Sequence, residues 1–337
     1  MGSQRIGNLF NREFFCRLNH NTKKMKKLII LLAILFIKGQ VFAQQEKNLA
    51  QKLGFEANSK LLIIHADDIG VAHSVNKASF NSFSAKTITS GSVMVPCPWF
   101  LEVAEYAKLN PDHDLGIHLT ITSEWKNYKW SGISSTNEIK SLINEQGHLY
   151  PLNQGVKANA NYIDVKKELK SQIEYSIDNG LNPTHLDSHM GAVRVTPEIF
   201  QAYFEVGHEY NLPILLSKEL KEVINNGTID TSKFDPSKLY WVEKIYQKSD
   251  DSPIDFQSWK NFYTAVINDI KPGFNVLLVH LGYDNDELKA ITIDHPDYGS
   301  TWRELDLKII QDSKFKSLIE EKNIKLITWR QIKDVLY

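Results

Sequence analysis

The sequence predicts an α/β fold, a distorted TIM-type (β/α) barrel with about seven parallel strands. Short apolar runs alternate with amphipathic stretches along most of the chain, which is the pattern of strands joined by crossover helices. About seven such units occur, and that number favours a barrel over an open sheet. Several apolar runs also end in Asp or His, as expected where parallel strands open onto a shared catalytic face.

Each predicted strand is a short apolar run of the length typical of a buried parallel strand. The longest predicted helix, at 164–179, is followed by Gly180 and Pro183, which are typical helix terminators. The predicted strands cover residues 61–64, 90–95, 115–119, 184–189, 212–216, 275–281 and 324–328. The predicted helices cover residues 75–85, 99–109, 164–179, 197–210, 259–270, 313–322 and 329–336.

Two longer segments, 124–160 and 221–253, interrupt this pattern. Long insertions after strands often build the active-site face, where aromatic rings can stack on sugars. The same rings could instead simply fix the loops to the rest of the fold. The aromatic residues are Trp125, Tyr128, Trp130 and Tyr150 in the first segment and Phe234, Tyr240 and Trp241 in the second.

The amino-terminal region has the order of a secretory signal peptide. Lys26 and Lys27 precede an apolar run at 28–37, and a small-residue cleavage pattern ends at Ala43. The run is too short to cross a membrane comfortably, and an uncleaved anchor is the alternative. We therefore expect an exported protein, periplasmic or secreted, without stable membrane association after cleavage. The expected divisions are a non-native or misassigned extension at 1–24, a signal peptide at 25–43, a linker at 44–58 and a single domain at 59–337.

The charge composition argues against highly charged partners. Lys and Arg number 39 and Asp and Glu number 40, so the formal net charge is −1. Nucleic acid or an anionic membrane surface would favour a basic excess, and we expect neither as a partner. Only Cys97 follows the predicted signal peptide, so the exported chain would contain no intramolecular disulfide.

Polar residues at the strand ends form the candidate site. In a parallel barrel the carboxyl ends of the strands meet on one face, so residues distant in sequence converge there. Aspartate oxygens and imidazole nitrogens together are a recognised ligand set for a divalent cation. A single His at a strand end is more often a hydrogen-bonded structural group, but four strand ends share this feature. The residues are Asp67, Asp68, His118, His185, Asp187, His189 and His280.

Four motifs in the same order resemble the YdjC-like carbohydrate deacetylase family, which includes chitooligosaccharide deacetylases and hopanoid-associated sugar deacetylases. The similarity extends from about Lys60 to the carboxyl terminus. The chain departs from the family pattern at Leu281, where Pro is usual, and at 190–193, which lack additional histidines common there. The insertion at 221–253 has no counterpart in the family. The motifs are HADDIG at 65–70 with ITSGSVMV at 88–95, LGIHLT at 115–120, THLDSH at 184–189 and VHLGY at 279–283.

The resemblance implies a metal site made by Asp68, His118 and His185. These three residues must then share one ion, although they are widely separated in the sequence. The family is generally described with Mg²⁺, whereas two imidazoles and one carboxylate suit Zn²⁺ better. The expected cofactor is therefore a divalent ion, Mg²⁺ or Zn²⁺.

The resemblance also implies catalytic roles. Asp67 would act as the general base, although adjacent Asp residues at a strand end can also simply cap a helix. His280 would protonate the leaving amine. Asp187 or His189 could orient a ligand imidazole, and Tyr283 could contact the substrate.

These roles imply an enzyme that removes N-acetyl groups from amino sugars or their oligosaccharides, of the chitooligosaccharide type. Two alternatives stay open. A metal-dependent phosphoesterase uses similar Asp and His clusters, but phosphate would favour Arg or Lys beside the site, and only Arg194 is near these motifs. A carbohydrate-binding protein without catalysis would use the loop aromatics, but it would not need Asp67 beside a metal ligand.

Overall fold

Seven short strands form the centre of the fold in the computed structural model, which describes residues 47–232, 234–235, 238–249 and 253–337. Every strand pairing is parallel. The sheet order is β4-β3-β2-β1-β6-β5, and β7 pairs with β1. The strands are β1 (Lys60–Ile69), β2 (Ser90–Val93), β3 (Leu115–Leu119), β4 (Leu186–Ser188), β5 (Lys244–Tyr246), β6 (Gly273–Val279) and β7 (Lys325–Leu326).

The sheet curls into a half-barrel, which confirms the predicted distorted (β/α) barrel. One predicted strand is wrong: residues 212–216 form only an isolated parallel bridge, between Ile214 and Leu186. Pro213 has no N–H to donate, so a regular ladder cannot continue through it. A second isolated bridge joins Ser217 to Val242, just before β5. These two bridges link the β4 edge of the sheet to its β5 edge.

Helices follow most of the strands. The predicted helices are confirmed within a few residues, and β5 and five helices at 49–52, 153–159, 220–225, 286–291 and 300–310 were not predicted. No helix in the described part of the chain has both the length and the apolar character needed to cross a bilayer. The helices are α1 (Leu49–Lys52), α2 (His73–Ser84), α3 (Phe100–Leu109), α4 (Asn153–Asn159), α5 (Tyr162–Asp178), α6 (Pro197–Glu209), α7 (Leu220–Asn225), α8 (Phe256–Asp269), α9 (Asp286–Ile291), α10 (Ser300–Ile310), α11 (Ser313–Glu321) and α12 (Trp329–Leu336).

The described residues ahead of the sheet include a short helix. The predicted extension at 1–24 and the signal peptide at 25–43 lie outside the described residues. Within the predicted linker, α1 begins after Asn48, whose side chain accepts a hydrogen bond from the backbone of Gln51. Leu49 and Ala50 are buried. The chain is therefore already packed against the domain at a position where the sequence predicted a linker.

Alternation along β1 determines what lies beneath the candidate site. Leu61 and Ile63 belong to a small apolar cluster that also includes Trp329. Leu62 and Ile64, which alternate with them along the strand, belong to the main core. His65 and Asp67 continue the same two-residue spacing, so their side chains project from the same face of the strand. The small cluster thus forms an apolar base under the polar residues.

Candidate active site

A cavity of about 740 Å³ lies at the carboxyl ends of the strands. Asp67 and Asp68 reach it from the end of β1, His118 from β3, Asp187 from β4 and His280 from the position after β6. His189, which follows β4, also lines it, so the structure brings together six of the seven polar residues that the sequence placed on one face.

A local distortion of β1 allows two adjacent aspartates to serve different neighbours. Asp68 has a φ of 58°, in the left-handed region, and the register between β1 and β2 shifts between Ala66 and Ile69. Asp is one of the residue types that enter this region more readily than most, although the conformation still costs free energy. The Asp67 carboxylate consequently lies near His280, whereas the Asp68 carboxylate lies near His118 and His189.

Asp68, His118 and His189 form a compact group of potential metal ligands. Oδ1 of Asp68 is 3.3 Å from Nε2 of His118 and 3.2 Å from Nδ1 of His189. All three residues are buried, and Oδ1 of Asp68 has no hydrogen-bond partner within the described ranges. A buried carboxylate oxygen that faces two imidazole nitrogens without a hydrogen bond fits a divalent cation. One carboxylate and two imidazoles suit Zn²⁺ or a similar transition ion.

Each of the two histidines contacts a second carboxylate through its other ring nitrogen. Nδ1 of His118 lies 2.8 Å from Oδ1 of Asp187, and Nε2 of His189 lies 3.0 Å from Oε2 of Glu124. These contacts would keep a proton on the outer nitrogen and leave the lone pair of the inner nitrogen facing Asp68.

The same carboxylates set the titration of the two imidazoles. Burial alone would lower the pKa of His118, but the charge and hydrogen bond of Asp187 raise this pKa well above its usual value. Burial likewise opposes the charged form of His189, and the charge of Glu124 together with the Asp68 contact raises its pKa to about 9. Without a metal ion, protons would therefore supply the positive charge at this site.

Arg303, on α10, holds the other oxygen of Asp68. Nη2 of Arg303 donates to Oδ2 of Asp68 over 2.6 Å, and both side chains are buried. Burial would raise the pKa of Asp68, but the guanidinium charge and the two histidines hold it well below its usual value. Asp68 is therefore a fixed carboxylate with one oxygen on Arg303 and the other facing the imidazoles.

Asp67 and His280 form a pair beside this group, and together with Asp68 they are a second set of potential metal ligands. Oδ1 of Asp67 lies 3.3 Å from Nε2 of His280. The backbone N–H of His280 donates to Oδ2 of Asp306, whose other oxygen accepts from Trp259 and Tyr263. Asp306 thus fixes the position of His280 through its backbone and leaves the imidazole directed at Asp67.

The structure does not bring His185 to the Asp68–His118 pair, so the three residues of the predicted ligand trio do not lie together. His185 is level with Gly116 in the β3–β4 register, whereas His118 pairs with Asp187. The His185 ring stacks on Trp329, with ring centres 4.9 Å apart, and does not line the cavity. It groups instead with His65 and Asp187, one level deeper in the barrel.

The other three predicted residues have different positions. Asp187 contacts His118, as its predicted orienting role requires, and also lies 3.0 Å from Nε2 of His65. His189 was predicted as an orienting group, but it lies in the potential ligand group itself. Tyr283 is outside the cavity wall, and its hydroxyl accepts a hydrogen bond from Asn81.

Most of the loop aromatics have packing roles. Trp125, Tyr128 and Trp130 pack against one another, and the Tyr128 hydroxyl donates to the backbone of Val71. Of these three, only Trp125 lines the cavity. Phe234, in the second insertion, packs edge-on against Phe204. The alternative that these rings mainly fix the loops is thus favoured.

Sequence reasoning missed Glu124 and Arg303 as parts of the site. Glu124 lies in an irregular loop five residues after β3, and Arg303 lies on a helix that was not predicted. Neither position carries a periodicity or spacing signal, because both side chains reach the site only through tertiary contacts. Tyr298, which also lines the cavity, was missed for the same reason.

Comparison with known proteins gives a consistent result. Residues 61–321 match the family described as YdjC-like protein. A carbohydrate deacetylase of Geobacillus stearothermophilus is 31% identical over 279 residues, which cover 80% of this chain and 96% of that relative. A carbohydrate deacetylase of Thermoanaerobacter pseudethanolicus is 26% identical over 275 residues, which cover 81% of this chain and all of that relative (100%).

A solved structure shares the fold. It is described as a cellobiose-phosphate cleavage protein of Enterococcus faecalis V583, and its TM-score is 0.67 at 21% sequence identity. The match covers 81% of this chain and 99% of that chain. At this identity the likeness concerns the fold alone.

Proposed function

Because this chain belongs to the YdjC-like protein family, we propose that it is a metal-dependent carbohydrate deacetylase that removes N-acetyl groups from amino sugars or their oligosaccharides. The observation that carries this proposal is the unpartnered oxygen of Asp68, which faces two imidazoles beside the Asp67–His280 pair. Potential ligands for a cation and the proposed base–acid pair would thus lie side by side in one cavity. Curated relatives at this similarity are named carbohydrate deacetylases.

The chain supplies the proton transfers of amide hydrolysis. Asp67 would take a proton from water as the water oxygen attacks the acetyl carbon. His280 would give a proton to the sugar nitrogen as the C–N bond breaks, which releases a free amine and acetic acid, and the acid then loses its proton to become acetate. The 3.3 Å separation between the two groups would let the proton on Asp67 pass to His280 and restore the starting state.

Asp68, His118 and His189 would hold the metal ion, with Asp187 and Glu124 fixing the two imidazoles. When bound, a divalent cation would polarise the acetyl group and make water more acidic. Mg²⁺ and Zn²⁺ are both candidates, and the ligand types favour Zn²⁺. This ligand set predicts that His189→Ala removes bound metal, whereas His185→Gln keeps it. Metal analysis of the two purified variants distinguishes a ligand trio that contains His189 from the trio with His185 that the sequence predicted.

The direct test is a product assay on purified protein loaded with Mg²⁺ or Zn²⁺. We expect acetate release from N,N′-diacetylchitobiose or from N-acetylglucosamine. The alternative, a phosphoesterase, predicts phosphate release from sugar phosphates, and Arg303 and Lys244 add positive charge to the cavity beyond what the sequence indicated. Phosphate release without acetate release would reject the deacetylase. Saturable sugar binding with neither product would indicate a binding protein.

We also propose export of the protein. The support is the order of Lys26 and Lys27, the apolar run and the small-residue pattern ending at Ala43. Amino-terminal sequencing of protein recovered from the periplasm or medium should begin near Gln44. Recovery of the full-length chain in the membrane fraction would instead support an uncleaved anchor.

A further inference from the structure

Within the described residues, the Arg303 guanidinium uses only two of its three nitrogens as hydrogen-bond donors. Nη2 donates to Asp68 over 2.6 Å and Nε donates to the backbone oxygen of Tyr298 over 2.7 Å. The guanidinium carbon lies 5.6 Å from the centre of the Trp125 ring. Nη1 is buried and has no hydrogen-bond partner in the described part of the chain.

An unpartnered donor on a buried cation is unfavourable, and native proteins rarely keep one without a use. Arg303 is only 1% exposed, so water does not compensate for the missing partner. The side chain lines the same cavity as Asp67 and His280. The side chain that carries the unused donor is therefore part of the wall that surrounds the reacting groups.

We propose that Nη1 of Arg303 is the subsite for the acyl oxygen of the substrate, and that it retains the carboxylate product. This inference rests on the proposed function. During hydrolysis the C–N bond breaks, the acyl oxygen becomes one carboxylate oxygen, and the attacking water supplies the other. Negative charge on the acyl oxygen therefore grows from substrate to product. A guanidinium donor binds the charged oxygen more strongly than the neutral one, and its planar fork matches a carboxylate.

The ligand class is a small monocarboxylate, with acetate as the simplest member. Other cations in the cavity are placed differently. Lys244 donates to Asp269 over 2.8 Å, and Arg194 is exposed. Arg194 lines the same cavity and has no role in the proposed mechanism, so it provides a matched control for the effect of a nearby positive charge.

The test is a calorimetric titration of the metal-loaded protein with sodium acetate. Acetate replaces chloride in the buffer, so that the ionic strength stays constant. Arg303→Lys keeps a positive charge near Asp68 but loses the forked donors. We expect this variant to bind acetate at least about tenfold more weakly than the native protein, as loss of a charge-assisted hydrogen bond predicts. Arg194→Lys should bind acetate within about twofold of the native protein, since both keep the same charge at an exposed position. Equal weakening in both variants, or no acetate binding by the native protein, would overturn the subsite.

A second measurement does not depend on a variant that folds. In a crystal structure of the native protein grown with acetate, one carboxylate oxygen should lie within hydrogen-bonding distance of Nη1. Acetate bound only elsewhere, or absent from the cavity, would overturn the proposal. Failure of this subsite proposal can be distinguished from failure of the proposed function. Arg303-dependent acetate binding without release of acetate from any N-acetylated sugar would keep the carboxylate subsite and reject the deacetylase.

Discussion

The two adjacent aspartates have distinct environments, and substitution should separate their roles. Asp67→Asn should lower acetate release by about 10²–10⁴-fold, the usual contribution of a general base, while bound metal is unchanged. Asp68→Asn should lose metal, and Asn tolerates the left-handed φ of 58° at this position. Acetate assays and metal analysis of both variants check this expectation. Loss of metal from Asp67→Asn would mean that the two roles are reversed.

Glu124 should act on metal binding through His189, whose Nε2 it contacts at 3.0 Å. Glu124→Gln should weaken metal affinity by about 10–100-fold, because it removes the charge that orients the imidazole. Glu219 is a matched control, since it is another carboxylate of the cavity wall outside the ligand group. Metal affinity is measured by competition with a chromogenic chelator. An equal loss in Glu219→Gln would show that the effect is only a general loss of negative charge.

The sequence could predict which strand ends meet at the site, but not how far below the cavity each of their residues lies. Residues 185, 187 and 189 alternate, so all three were expected on one face. Depth is set by the register between β3 and β4, in which His118 pairs with Asp187 and leaves His185 one level lower. Strand register depends on contacts between distant segments. The motif therefore identified the stretch of chain that reaches the site, but the histidine that lies beside Asp68 and His118 is His189 and not His185.

At the level of elements, the sequence predicted the strands that have apolar runs. It missed β5, which is a strand only because of its pairing with a neighbouring strand. β5 has only three residues, one of them exposed, and lies in a segment that reads as irregular. Its pairing with β6 is what makes it a strand. The predicted strand at 212–216 is more apolar but contains Pro213, and it forms only isolated bridges. In both places, the availability of a regular pairing partner decided whether a strand formed, more than the local amino-acid composition did.

The packing of β3 on β4 leads to a prediction about Gly116. A Cβ atom at this position would collide with the His185 ring. Gly116→Ala should therefore destabilise the protein by about 1–3 kcal/mol, the usual cost of overpacking. In a His185→Ala background the collision is absent, so the same change should cost much less. Urea unfolding of the four proteins measures the difference, and an equal cost in both backgrounds would contradict this packing.

At the level of the whole molecule, we expect the proposed site to make stability depend on pH and on metal. In the metal-free protein the pKa of His189 is raised to about 9 and that of His118 is raised well above its usual value. Their contribution to stability is complete below the unfolded pKa near 6.5 and is lost as pH rises through the folded values. The pKa of Glu124 is lowered, mainly by the charge of His189 against the opposing effect of burial, so its contribution is lost as pH falls below about 4.

The free energy of unfolding of the metal-free protein should therefore fall between about pH 6 and pH 9. Zn²⁺ should remove or reverse this decline, because the cation replaces the protons on the two imidazoles. Urea unfolding at the two pH values, with a chelator or with Zn²⁺, checks both expectations. A metal-free protein that gains stability over this range would contradict the proposed charge arrangement.

The central position of β1 also has a kinetic consequence. Lys60 pairs with Gly273, and Asp68 is held by Arg303, so the strand that carries both aspartates depends on partners far along the chain. Contacts of such high sequence separation close slowly, because the entropy of a long loop is lost before the pairing energy is gained. We therefore expect the ion-binding geometry to form late in folding. A bound cation would accordingly extend the lifetime of the native state by slowing unfolding, and would not accelerate folding.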